Sequence, residues 1–263
     1  MEIYRIVEQK LRYFNYADKT SKMYSHYIDK FITSVGKNPK LLNSQDFENY
    51  LLNYNFTSTS QQNQIINAIK FFYEKVLERK YNKIDFQRPR KEKKLPQIIE
   101  HDYLINQISK IENLKHKAIL SLTYSTGLRV SEIINLKIAD IDSKRMIINI
   151  IQSKGNKDRI VPLSQTILDL LRKYFLKFKP KEYLFNGQFS NQYSSTSCNQ
   201  IVKKYLGKEY HMHLLRHSCF TTLLNNGVDC RHIQKLAGHS NLKTTEGYLH
   251  VSTKVLNKLP LPI

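Results

Sequence analysis

The sequence predicts a mainly helical protein with one small β-sheet, divided into an all-helical first domain and a larger mixed second one. Three features carry that prediction. Apolar residues recur at helical spacing along most of the chain. A stretch of prolines and basic residues breaks the pattern near residue 90. Two β-branched runs then flank a turn containing Gly-Asn, the signature of a hairpin.

Taken in order, Met23, Tyr24, Tyr27, Ile28, Phe31, Ile32 and Val35 give residues 19–35 an apolar helical face. Ser44-Gln45-Asp46 opens a shorter helix through Phe47, Tyr50 and Leu51. The polar cluster Thr57-Ser58-Thr59-Ser60 starts another, with Ile65, Ile66, Ile69, Phe72, Tyr73, Val76 and Leu77 on its face. These make a domain expected at residues 1–86. Residues 87–96, with two prolines and five basic residues, read as an extended linker. The second domain, 97–263, opens with helices at 101–113 and 115–125, breaks at Thr126-Gly127, and resumes at 130–136. Residues 146–151 and 158–163 are the two strands, separated by Lys154-Gly155-Asn156-Lys157. Helical patterns return at 165–178, 195–206, 213–226 and 230–237, with Gly227 and Gly238 placed as C-terminal glycines.

A chain of 263 residues is long enough to bury a substantial core in two domains. Lys and Arg total 42 against 22 Asp and Glu, a net charge of +20, which favours a polyanionic partner, most often nucleic acid. No apolar run approaches the roughly 20 residues that span a bilayer. Residues 1–5 lack the apolar core of a signal peptide, so no membrane partner and a cytoplasmic location are expected. Cys198, Cys219 and Cys230 are an odd number without a close pair, which fits a reducing compartment. With 17 tyrosines and 12 phenylalanines, most aromatic rings must serve packing, so a single tyrosine matters only through its company.

That company lies in the second domain. Thr126-Gly127-Leu128-Arg129-Val130-Ser131-Glu132, Ser153-Lys154-Gly155, His213-Leu214-Leu215-Arg216, Gly238-His239 and Tyr248 follow one another in an order that phosphodiester chemistry can use. Cutting a phosphodiester without a metal needs fixed cations on the non-bridging oxygens, a base, an acid and a nucleophile. Arginine suits two-pronged contact with phosphate, and a tyrosine hydroxyl can act as the nucleophile. Arg129 falls at a helix–Gly–helix corner, and the three-residue spacing of His213 and Arg216 puts both on one helical face. His211, His213 and His217 form HxHxxxH, but no acidic residue lies among them and the spacing matches no zinc signature, so no metal is expected.

These boxes, with Leu236-Ala237-Gly238-His239-Ser240, Thr244-Thr245 and Tyr248-Leu249-His250-Val251, resemble the tyrosine recombinases of the phage-integrase and Xer group. The resemblance spans nearly the whole chain. It implies a helical, SAM-like core-binding domain followed by a tyrosine-recombinase catalytic domain, in the simple two-domain arrangement. It implies that Arg129 and Arg216 are the catalytic arginines and that Lys154 is the general acid for the departing 5′-hydroxyl, with its neighbours Lys157 and Arg159 as nearby alternatives. His213 would take the tyrosine proton or hold the phosphate, His239 would donate to a non-bridging oxygen, and Tyr248 would form a 3′-phosphotyrosyl link. Glu132 would orient an active-site side chain, or pair with a neighbouring lysine across a helical turn. The implied partners are duplex DNA with paired sites, further copies of the chain in a ring of four, and accessory proteins; no cofactor and no ATP are required.

For contact with DNA, Gln61, Gln62 and Asn63 are of the types that pair with adenine in the major groove. Arg88, Arg90 and Lys91 in the linker and Lys157 and Arg159 in the hairpin suit the phosphate backbone. Two rivals are a type IB topoisomerase, which nicks and reseals without exchanging strands, and a catalytically silent DNA-binding protein. The second would have lost Tyr248 or an arginine, and neither is lost.

Overall fold

The computed structural model describes residues 2–79, 88, 97–153, 157–239, 241 and 245–246. The chain divides into two compact units, residues 1–93 and 94–263.

Among the described residues the first unit is a cluster of four α-helices: α1 (Glu2–Tyr13), α2 (Asp18–Val35), α3 (Ser44–Leu52) and α4 (Thr59–Phe71). Its core is Val7 and Leu11 of α1, Ile28 and Phe31 of α2, Phe47 of α3, and Ile65, Ile69 and Phe72. Local chemistry fixes the helix starts. The Asn43 side chain accepts from the Asp46 backbone N–H at 3.0 Å while the Asp46 carboxylate accepts from the Asn43 N–H at 3.0 Å, a reciprocal cap on α3. Ser58 caps α4 by accepting from the Gln61 N–H at 3.1 Å. The end of α4 widens into one turn, Phe72–Val76, where the Leu77 N–H donates to the Phe72 carbonyl.

The second unit holds α5 (His101–Ser109), α6 (Leu114–Thr126), α7 (Val130–Asn135), α8 (Gln165–Phe178), α9 (Ser195–Tyr205), α10 (Met212–Asn225) and α11 (Cys230–Ala237). Its sheet is antiparallel, in the order β1 (Ile141–Asp142), β2 (Ile147–Ser153), β3 (Lys157–Pro162). Helices α6 and α10 are buried on most of their surface, as centrally packed helices must be, and the other elements pack round them. In the sheet, Ile148, Ile150 and Val161 turn inward, while Ile151 and Ile160 face solvent at 60% and 55% exposure.

Some elements were not expected, among them a helix and a strand. Helix α1 contributes a narrow buried stripe, and β1 is a two-residue strand that exists only through its pairing with β2. Helix α5 also ends at Ser109, short of residue 113, because Asn113 is taken up as the cap of α6, accepting from the His116 N–H at 3.1 Å. No described helix is long and apolar enough to cross a membrane.

Candidate active site

Helix α6 ends at Gly127, whose φ of +62° is the left-handed conformation that glycine adopts without strain. A Cβ there would also meet the Phe220 ring at 2.5 Å, so the corner between α6 and α7 closes directly on α10. Arg129 stands at the start of α7. Its backbone N–H donates to Glu132 Oε2 at 2.8 Å and its Nη1 to Glu132 Oε1 at 2.9 Å, which ties the guanidinium to its own helix. Nη2 reaches the Gly238 carbonyl at 3.4 Å.

Arg216, on α10, is 1% exposed. Its Nη1 donates to the Gly127 carbonyl and its Nη2 to the Ala237 carbonyl at 2.6 Å, so it bridges the α6–α7 corner and the end of α11. The guanidinium also lies 4.8 Å from the centre of the Phe220 ring. Helix α11 ends at Gly238, φ +61°, and the chain turns there to present His239. His239 Nε2 is 3.2 Å from Arg216 Nη2, and Nδ1 is 2.9 Å from the Thr245 hydroxyl. The Gln234 side-chain amide donates to the His239 carbonyl at 3.2 Å, and the His239 N–H donates to the Gln234 carbonyl at 3.1 Å. Groups from residues 129, 216 and 239 are thus brought onto one corner of the fold.

Burial, reinforced by the neighbouring cations, sets the protonation of the histidines. Burial, then Arg216 and Arg129, push the His239 pKa down to about 4. His217, whose ring meets His213 edge-on at 4.4 Å, is also pushed down to about 4, by burial and then by His213 and Arg216. His213 is exposed at the first turn of α10; partial desolvation of its ring, then Arg216, His211 and Arg129, lower its pKa. All three are neutral at physiological pH, and a neutral imidazole can accept a proton. Among the described residues no three of His, Cys, Asp and Glu stand together as a metal site.

Glu132 is deeply buried, which opposes its charge, yet its pKa is lowered, because hydrogen bonds from Arg159 and the Arg129 backbone outweigh burial. Arg159 is the partner that the sequence did not reveal. It was expected on the DNA-facing surface, but its side chain is 8% exposed and turned inward on β3, opposite Ile150. Nη1 and Nη2 donate to the two Glu132 oxygens at 2.7 Å each, and Nε donates to the Leu236 carbonyl at 2.9 Å. Strand alternation was the available signal, since Arg159 shares its face with Val161. Thr245, which holds the His239 ring, lay in a recognised box without a role.

In the first unit, Gln61 is occupied as a cap, its Oε1 accepting from the Thr57 N–H at 2.8 Å and the Thr57 hydroxyl at 2.9 Å. Asn63 donates to the Thr59 carbonyl at 2.8 Å and accepts from Arg88 at 3.0 Å, and Arg88 also donates to Asn67 at 2.9 Å. These groups, expected to face DNA, are bonded within the unit; Gln62, between them, is half-buried. Arg90, Lys91, Lys154, Tyr248 and the side chain of Lys157 lie outside the described residues.

Comparison with known proteins shows the family. Residues 91–254 match the phage integrase family, and residues 3–83 match the phage integrase N-terminal SAM-like domain. The tyrosine recombinase XerA of Pyrococcus horikoshii is 35% identical over 247 residues, covering 91% of this chain and 85% of that protein. A crystal structure of XerA recombinase superposes with a TM-score of 0.57 at 26% identity, covering 99% of both chains. The XerH site-specific recombinase, in a post-cleavage complex with palindromic difH substrate, shares the fold with a TM-score of 0.72 at 21% identity, over 90% of this chain and 78% of that one. This chain belongs to the phage integrase family, the tyrosine recombinases.

Proposed function

We propose that this protein is a site-specific DNA recombinase that cuts one strand by attack of the Tyr248 hydroxyl and rejoins it to the strand of a second site. The observation that carries the reading is the convergence of Arg129, Arg216 and His239 from three separate segments on one corner. Fixed positive charge there stabilises the pentacoordinate phosphorane-like transition state, in which negative charge builds on the non-bridging oxygens. The Tyr248 oxygen forms a bond to phosphorus as the bond to the 5′ oxygen breaks. The phenol proton passes to neutral His213, and Lys154 supplies a proton to the 5′ oxygen. The link conserves the bond energy, so resealing to a new partner strand runs by the reverse steps without ATP. An anionic phosphate beside His239 raises the proton affinity of the ring, opposing the arginines, and so equips it to donate.

In this reading residues 1–86 and 97–263 each bind DNA. Gln62 contacts bases, and Arg88, Arg90, Lys91 and Lys157 contact the backbone. Four copies assemble on two paired sites, in the cytoplasm. Sequence similarity to the XerA recombinase and the net charge of +20 support a DNA substrate.

The test begins with duplexes that the full-length protein selects from a random-sequence pool. Incubated with two plasmids carrying the selected site, it is expected to yield products in which flanking sequences have been exchanged. Relaxation of a supercoiled plasmid without exchange would instead make the chain a nicking–resealing enzyme. Substituting Arg129 or Arg216 by alanine is expected to lower cleavage about a hundredfold or more.

A further inference from the structure

Within the recombinase reading, we infer that Arg159 is a positioning residue: it neutralises Glu132 and thereby leaves the charge of Arg129 available to the scissile phosphate. Glu132 lies between two guanidinium groups, 2.9 Å from Arg129 Nη1 and 2.7 Å from each Nη of Arg159. Alone, Arg129 and Glu132 would form a neutral pair whose field at a nearby phosphate is small. Two arginines around one carboxylate leave a single positive charge, and it sits at the more exposed end, since the Arg129 side chain is 20% exposed against 8% for Arg159.

The geometry separates this task from contact with DNA. Each of the three nitrogens of Arg159 already has an acceptor, the two Glu132 oxygens and the Leu236 carbonyl. Its Cδ lies 3.1 Å from where a Cβ on Gly238 would stand, so the side chain is packed under the turn that presents His239. A bidentate fork with a third bond from Nε requires arginine, because lysine offers only a point charge. Arg159 therefore joins β3, α7 and the end of α11, and it does so without touching the reacting atoms.

The test uses the full-length protein and a selected duplex nicked so that the covalent adduct accumulates. Single-turnover adduct formation and DNA affinity are measured for wild type, Arg159→Gln, Glu132→Gln and the double variant. Arg159→Gln is expected to cleave about 10- to 100-fold more slowly, with Kd changed by no more than about threefold, because the loss falls on the transition state. The double variant is expected to cleave about tenfold faster than Arg159→Gln, since removing the carboxylate frees Arg129 again; a merely structural role would give no such rescue. A double variant no faster than Arg159→Gln overturns the inference, and so does a loss confined to Kd. Should Arg159→Gln not fold, the double variant is compared with Glu132→Gln. Rates within about threefold uphold the inference, and a gap of tenfold or more overturns it. Absence of adduct from wild type would remove the recombinase reading itself, whereas adduct from wild type without rescue removes only the role of Arg159.

Discussion

His239 Nε2 faces the Arg216 guanidinium, which can only donate, so in the free protein Nε2 accepts and Nδ1–H donates to the Thr245 hydroxyl. The ring is held neutral, with its pKa near 4 against 6.5 for a free histidine, first by burial and then by Arg216. The unfolded chain therefore binds this proton more readily than the folded one. The stability it contributes is complete above about pH 6.5 and is lost as pH falls toward 4. Thermal melts of wild type and His239→Gln between pH 7.5 and 4 check this: the melting temperature of the variant is expected to fall less steeply below pH 6.5, and parallel curves would contradict it. At this scale the sequence was partly legible. Arg129, Arg216 and His239 were singled out through the family resemblance of their boxes, and they do meet. Arg159 was misplaced because polarity and direction disagree on β3: the charged Arg159 points inward while apolar Ile160 points out at 55% exposure. A buried charge becomes legible only once its partner is known, and Glu132 is distant in sequence.

The corner between α6 and α7 shows how elements place those side chains. Gly127 combines a left-handed backbone with a Phe220 ring carbon 2.5 Å from where a Cβ would stand, and its carbonyl accepts from Arg216. Gly127→Ala adds backbone strain of about 1–2 kcal/mol and an overpacking cost of about 1–3 kcal/mol. For a unit of this size that is expected to lower the melting temperature by roughly 5–15 °C in a calorimetric scan. A variant melting with wild type would show that the corner yields freely. Helix positions in the second unit were legible from their apolar pattern, and Ser164, Ser194 and Asp229 do cap three of them, whereas Asn113, read as part of a helix, caps the next one. Strand β1 was not, since two residues carry no period and only the pairing of Ile141 with Ile148 defines them. Helix α1 was missed for a related reason: Val7 and Leu11 are its deeply buried residues, a stripe too narrow to stand out among charged neighbours.

Across the whole molecule, each unit has its own hydrophobic core, and the division between them falls inside the 87–96 stretch that the sequence marks by composition. Fold class was legible at this scale because proline, charge and period change together at one place. The family was legible because six residues of four types in a fixed order are far more specific jointly than any is alone. The proposed chemistry depends on Tyr248 being the nucleophile, and trapping the covalent protein–DNA adduct tests that most directly. Wild type and Tyr248→Phe would be incubated with a nicked duplex bearing the selected site, and the adduct read on a denaturing gel and mapped by peptide mass. The account predicts an adduct from wild type, attached through Tyr248 to a 3′-phosphate, and none from the Phe variant. An adduct at another residue, or an equal yield from Tyr248→Phe, would contradict it.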